Sequence, residues 1–330
     1  MFAFMENSNL RKYTHGLVLA PMAGLTDSAF RRICRRMGAT AVVTEMVAAA
    51  GLSRRSVRSH RLLRFKEEEK PIGVQLFGNR PSDFERSAEL VSKLGFDFID
   101  INAGCPVKKV VNSGSGSALL RDIPKLTALV RAVFTHTSLP VTVKIRCGWT
   151  PEEPVPDSLP AILAAEGAAA IAVHGRYRSD MFAGEVRKHE IERIVRNSPV
   201  PVIANGDSRS VPSALDLMNA TGAAGLMIGR GSLGNPWIFR GLASGKSEDA
   251  LPLPGETVSV ILQQYEMMSE YITADHLHSI LRGQLLNYIR GFRGAAELRG
   301  RAVRVGNRAD LTDILSELQE LLSVERLRKS

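Results

Sequence analysis

The chain has 330 residues, long for one simple domain and enough for a barrel of about 250 residues with a smaller appendage. Lysine and arginine number 43 against 34 acids, a formal charge of +9, which favours an anionic partner beyond a cofactor phosphate alone. Three cysteines without a CxxC pair argue against a disulfide framework and a zinc site, the polar start MFAFMENSNLRKY lacks a signal-peptide core, and no run of about 20 apolar residues offers a membrane span, so the expectation is a metal-free cytoplasmic protein.

LVLA (17–20) predicts the first strand, with a helix from about Asp27, and AVVT (41–44) predicts the second. IGVQL (72–76) is the third, with a helix from near Pro81, and FIDI (98–101) is the fourth, its helix delayed to about Asp122 by a Gly/Ser-rich loop. VTVKI (141–145), AIAVH (170–174), PVIAN (201–205) and GLMIG (225–229) supply four more, separated by helical stretches near 157–167, 188–197 and 210–220. Short β-branched runs without polar alternation suit strands buried on both faces. Eight strands, each followed by a helical stretch, predict a (β/α)8 TIM barrel. An open doubly wound sheet is the alternative, but its Gly-rich phosphate loop after the first strand is missing from APMAG.

Residues 1–241 are therefore read as the barrel and 242–256, rich in Gly, Ser, Pro and charge, as a linker. Residues 257–330 show helical spacing and form a small helical domain. Between Arg282 and Arg308 it carries seven arginines, Arg290 and Arg293 among them, against the single acid Glu297. A solvated helix face is one reading; an RNA-facing patch fits the missing acids better.

Active sites of such barrels gather at the C-terminal ends of the strands. Those ends read Pro21-Met22-Ala23-Gly24, Glu45, Gln75, Asn102 to Cys105, Lys144 with Arg146, His174 to Arg176, Asn205-Gly206-Asp207 and Gly229-Arg230-Gly231. The last two, after strands seven and eight, suit a phosphate: glycines let backbone N–H groups approach an anion and Arg230 adds charge. Lys144 at the mouth needs an anionic or electron-rich partner, either a flavin or a barrel carboxylate. Gln75 and Asn102 can both donate and accept, as the edge of a flavin or a base requires. Cys105 sits in a polar loop with Lys108 and Lys109, which would favour a thiolate, whereas a general acid must stay protonated; the residues leave both open. No Ser-His-Asp arrangement is legible, leaving cofactor-based redox or lyase chemistry.

The run APMAGLTDSAFR, then QLFGN, INAGCPVKKV with GSALL, VKIRCGW, VHGR, IANGD and IGRG resembles the tRNA-dihydrouridine synthases, especially the bacterial enzymes, over about residues 17–240. The helical tail is similar to that family's RNA-binding domain. The resemblance implies an FMN-dependent, NADPH-driven reduction of the 5,6 double bond of uridines in tRNA by a monomer. It implies FMN contacts from Pro21, Met22, Ala23, Gln75, Lys144, His174, Asn205, Gly206, Asp207, Gly229 and Arg230. It implies Cys105 as the proton donor, with Asn102, Arg146 and Arg176 holding the target nucleotide. Arg290 and Arg293 would grip the RNA. The competing expectations are an FMN barrel reductase of a small molecule, and the same uridine reduction on ribosomal RNA.

Overall fold

The structure, a computed structural model, describes residues 7–329. In chain order its strands are β1 (Leu17–Leu19), β2 (Ala41–Ala48), β3 (Ile72–Phe77), β4 (Phe98–Ala103), β5 (Val141–Arg146), the short antiparallel pair β6 (Gly148–Thr150) and β7 (Glu153–Pro154), then β8 (Ala168–His174), β9 (Val202–Asn205) and β10 (Gly225–Ile228). All but β6 and β7 are parallel neighbours in a closed barrel, in which β10 returns to pair with β1. The expected (β/α)8 barrel is the architecture found. Some helices between the strands start where a side chain satisfies a free backbone N–H group: Asp27 accepts from Phe30, Asp122 from Lys125 and Ser210 from Ser213.

The barrel interior is filled by small and bulky residues fitted together. A Cβ at Gly73 would lie 2.1 Å from the Phe98 ring, so glycine on β3 makes room for the aromatic on β4. Tyr13, from an N-terminal helix (Ser8–Thr14) that was not anticipated, lies fully buried with its ring 4.4 Å from Phe98 and closes the N-terminal end. The opposite end stays open, and there the strand-end residues converge.

The C-terminal part is helical: Pro254–Ser269, Ala274–Tyr288, Ala295–Ala302 and Arg308–Lys329. These helices bury Ile261, Met268, Leu281, Leu285, Leu298 and Leu311 in a core that also takes Ala29, Ile33 and Trp237 from the barrel side. Polar contacts brace the seam: Arg32 ion-pairs with Glu270 at 2.9 Å, and Gln284 donates to Asp27 at 3.0 Å. The expected linker is partly ordered. Helix Ile238–Ser244 enters it because Ile238, Phe239 and Leu242 are buried, and the next helix starts at Pro254, braced by an Arg240–Glu256 pair at 2.6 Å.

Candidate active site

The open end of the barrel forms a cavity of about 510 Å³, within the range of ligand sites. The first loop lines it with Pro21, Met22 and Ala23, β3 with Gln75, β4 and its loop with Asn102 and Cys105, and β5 with Lys144 and Arg146. β8 and its loop add His174 and Arg176, β9 leads into Asn205, Gly206 and Asp207, and β10 into Gly229 and Arg230. Every residue expected to touch the cofactor, the proposed donor and the target base thus shares one cavity, whereas Arg290 and Arg293 lie outside it. Glu45 is also outside; its carboxylate accepts from Gly24 N at 2.5 Å and so holds the first loop.

The cavity is cationic. Lys144, Arg146, Arg176, Arg209 and Arg230 line it against one carboxylate, Asp207, so it favours an anionic ligand. Ser208, Arg209, Met46 and Phe182 line it too and were not anticipated. Ser208 and Arg209 directly follow the predicted Asn205-Gly206-Asp207 run, a signal that a longer reading of that loop would have caught.

On the β3–β5 side the polar groups form one chain. Buried Asp100 accepts from Thr142 Oγ1 at 2.6 Å and from Gln75 Nε2 at 2.7 Å. Gln75 Oε1 accepts from Asn102 Nδ2 at 2.8 Å, and Asn102 Oδ1 accepts from the N–H groups of Gly104 at 3.2 Å and Cys105 at 2.9 Å. Lys144 donates to Asn205 Oδ1 at 2.8 Å. Among the described residues it has no ion pair, which disfavours the barrel-carboxylate reading. Burial lowers its pKa to about 8, with Arg146 adding to the effect and Asp100 opposing it.

Cys105 is held at both ends of its peptide: Asn102 takes its N–H, and its carbonyl accepts from Ser117 N at 3.0 Å and Ser117 Oγ at 2.9 Å. A Cβ at Gly116, where φ is +61°, would meet the Cys105 carbonyl oxygen at 2.7 Å, so glycine is required for this close approach. Burial raises the thiol pKa, against weaker opposing pulls from the Val107 N–H, Arg146 and Lys144. Lys108 and Lys109, the cations that the sequence suggested, are not among the groups acting on it. The thiol is therefore neutral at pH 7.

Arg146 and Arg176 are buried side chains whose guanidinium groups are engaged by the surrounding loops. Arg146 donates to Gly104 O and Tyr177 O, both at 2.8 Å, and its guanidinium lies 5.6 Å from the Phe182 ring. Arg176 donates to Ala183 O at 2.8 Å, Gly184 O and Asp207 Oδ2, both at 2.5 Å, with His174 Nε2 3.2 Å from its Nη1. Both tie the mouth loops together. The imidazole of His174 is held well below its usual pKa by burial and then by Lys144, Arg146, Arg176 and Arg230, so it is neutral.

The β9–β10 side is built from backbone. Gly206 has φ +134°, and a Cβ there would sit 2.5 Å from Val186. A Cβ at Gly231 would stand 1.9 Å from Ser208 O, so the two loops touch only because glycine is present. Among the described residues buried Asp207 Oδ1 has no hydrogen-bond partner, and it lies 3.6 Å from the Arg230 guanidinium. The helical tail adjoins this rim: Arg290 donates to Leu233 O at 2.5 Å, and a Cβ at Gly234 would meet Asn287 O at 2.0 Å. Two tail arginines have acidic partners that sequence distance hides, Arg301 with Glu317 and Arg308 with Glu266 at 2.6 Å. Arg293 is exposed. Among the described residues no cluster could hold a metal ion and no helix is long and apolar enough to cross a membrane.

Comparison with known proteins gives these likenesses. The family profile described as dihydrouridine synthase matches residues 18–324. The tRNA-dihydrouridine synthase B of Pseudomonas aeruginosa is 38% identical over 293 residues, 88% of each chain. The protein of the same name from Pseudomonas syringae pv. tomato is 41% identical over 241 residues, 72% of each chain. A probable tRNA-dihydrouridine synthase of Aquifex aeolicus is 32% identical over 308 residues, 92% of this chain and 96% of that one. Among solved structures, the old yellow enzyme homologue from Zymomonas mobilis superposes with a TM-score of 0.51 at 14% identity, over 73% of this chain and 94% of that one, a likeness of fold.

Proposed function

The chain belongs to the dihydrouridine synthase family, and on that premise we propose that it reduces the 5,6 double bond of uridines in tRNA, with FMN bound in the barrel mouth, NADPH as electron donor and Cys105 as proton donor. The observation that carries this reading is a neutral thiol on the β4 loop lining the same cationic cavity as Lys144 and the glycine-built rim.

The residues present fit a flavin mononucleotide. Arg209 and Arg230 beside the Gly206 and Gly229 backbones suit a phosphate, and Asp207 on the same rim would suit a ligand hydroxyl. Pro21, Met22, Ala23, Gln75, Lys144, His174 and Asn205 would hold the rest of the cofactor. When bound, FMN reduced by NADPH supplies a hydride to carbon 6 of the uracil ring. Cys105 holds a proton on Sγ and delivers it to carbon 5, so that hydride and proton together saturate the double bond. The thiolate left behind lies under the influence of Arg146 and Lys144, which oppose its protonation and so ease release of the proton. Lys144, charged at neutral pH, balances negative charge in the mouth.

A uridine must leave the stack to enter a barrel mouth, so the enzyme needs purchase on the surrounding RNA. Asn102 would meet the base, Arg146 and Arg176 would shape the opening for it, and Arg290 and Arg293 would contact the RNA backbone. We infer a cytoplasmic monomer. Cys105→Ala should keep FMN absorbance and reduction by NADPH while lowering dihydrouridine formation about 100- to 10,000-fold. Wild-type modification of folded tRNA by that variant refutes the assignment. Mapping dihydrouridine over all cellular RNA, with and without the gene, separates tRNA from ribosomal RNA as the substrate.

A further inference from the structure

Asp100 has no place in the mechanism above. It lies fully buried inside the barrel, below the cavity and not among its lining residues. It is faced by Thr142 and Lys144 from β5, Gln75 from β3 and Tyr13 from the N-terminal helix. A buried carboxylate without an ion pair is costly, and simple barrel packing would be served better by an apolar residue.

Its contacts supply a reason. Side-chain amides can turn over by 180° and exchange donor for acceptor. Two such amides, Gln75 and Asn102, stand in series between Asp100 and the Cys105 loop, and both are buried. The carboxylate oxygen facing Gln75 accepts, so Gln75 must present Nε2 to it and Oε1 to Asn102. Asn102 must then offer Nδ2 to Gln75, which leaves Oδ1 for the N–H groups of Gly104 and Cys105. Every bond in the series runs in one direction. If Gln75 turned over, its Nε2 would face Asn102 Nδ2, two donors with no acceptor between them, and Asn102 would have to give up the Cys105 loop.

We propose that Asp100 is a positioning residue for the reaction: acting through Gln75 and Asn102, it fixes the direction of both amides and thereby the placement of Cys105. Contact with the base at Asn102 and proton delivery at Cys105 then hang on one buried acceptor. The inference rests on the reading of Cys105 as proton donor. What the chain needs from residue 100 is an acceptor toward Gln75, not a charge. Asn at this position can keep Oδ1 toward Gln75 and turn Nδ2 to the Thr142 hydroxyl, which accepts as readily as it donates.

The test uses the full-length holoenzyme and two half-reactions: reduction of the flavin by NADPH, and reoxidation of the reduced enzyme by folded tRNA in a single turnover. Asp100→Leu, with the same branching of heavy atoms but no acceptor, should bind FMN, reduce within about twofold of wild type, and reoxidise with tRNA about 10- to 100-fold more slowly, the range expected when a reacting group is slightly misplaced. Asp100→Asn should reoxidise within about threefold of wild type, as expected when the acceptor toward Gln75 is kept. Cys105→Ala is measured beside them. If Cys105→Ala is slow and Asp100→Leu is as fast as wild type, the positioning role is wrong and the donor assignment stands. If Asp100→Leu slows both half-reactions equally, or Asp100→Asn is as slow as Asp100→Leu, the role of Asp100 is structural and the inference falls. If Cys105→Ala reoxidises at the wild-type rate, the donor reading fails and the inference fails with it.

Discussion

On the β3–β5 side of the mouth, Gln75, Asn102 and Lys144 present side-chain atoms, each held by another side chain. On the β9–β10 side, Gly206, Gly229 and Gly231 present backbone, and close approach between loops does the holding. The first arrangement depends on which atom of an amide or carboxylate faces which; the second depends on the absence of a Cβ. A proton must be delivered to one carbon, so its donor needs a fixed direction. An anion can be met by N–H groups and guanidinium groups from several angles, so its cradle needs room instead. The two sides should therefore fail differently.

The largest effect is expected from Gly231→Ala. Its Cβ would stand 1.9 Å from Ser208 O and 2.9 Å from Ser208 C, backbone that cannot swing aside like a flexible side chain. Overpacking of this kind costs about 1–3 kcal/mol, and here it parts the two loops that frame the phosphate position. FMN affinity, followed by flavin fluorescence, should fall more than about 100-fold, with a lowered Tm. Gly283→Ala, a helical position with nothing within 4 Å of the added Cβ among the described residues, is the control and should leave FMN affinity unchanged and Tm equal or slightly higher. Equal behaviour of the two variants removes the claim that this side is held by close backbone approach.

A smaller effect tests whether the β9–β10 side continues into the tail. Arg290 reaches Leu233 on the loop after β10, and Arg209 on the cavity rim is one of the cations that, after burial, lower its pKa. Reversing charge at Arg290 and Arg293 should weaken tRNA binding about 10- to 30-fold near physiological salt and flatten its salt dependence by about two counterions. Reduction of the flavin by NADPH should not change. Equal loss of both activities would show instead that the reversal had damaged the mouth through Leu233.

How far each part could be read from sequence follows the same division. The eight barrel strands were legible because strands buried on both faces, such as IGVQL and FIDI, carry unbroken apolar runs. The pair β6–β7 was not, since three residues and two residues are too few to show a period and Glu153 and Pro154 are exposed. The strand-end residues were found by position, but not what they do with their donors. Arg146 and Arg176 read as free hands for a nucleotide; folded, Arg146 gives two donors to loop carbonyls and Arg176 donates to two loop carbonyls and Asp207. Lys108 and Lys109 looked like the cations beside Cys105 because they are near in sequence, whereas Arg146 and Lys144 act on it because β4 and β5 are paired. Asp100 escaped notice because it sits mid-strand, where a carboxylate gives no sign of the side chains it will meet.

The smallest effect separates the two sides by pH. Burial raises the pKa of Asp100 to about 6, so between pH 7 and 9 the charge that titrates on the β3–β5 side is that of Lys144, its pKa lowered to about 8 by burial first and Arg146 second. The cations of the other side are arginines, a side chain that stays charged in proteins over this range. Below pH 8 the unliganded site therefore has both charges, and above it only the arginines. Affinity for an anionic cofactor should hold steady up to about pH 8 and then weaken, by at most about tenfold per unit, until the lysine also deprotonates in the complex. Between pH 7 and 9 this gives a loss of about tenfold. The same shift bears on stability with the opposite sign. The unfolded lysine keeps its proton up to its ordinary value near 10.5, so between pH 8 and that value the unfolded chain binds more protons and the empty protein gains stability as pH rises. Lys144→Met should abolish both trends, and Lys144→Arg should hold cofactor affinity level across the range. If affinity falls equally in Lys144→Arg, the titrating group lies elsewhere, and the charge of the β3–β5 side does not rest on this lysine.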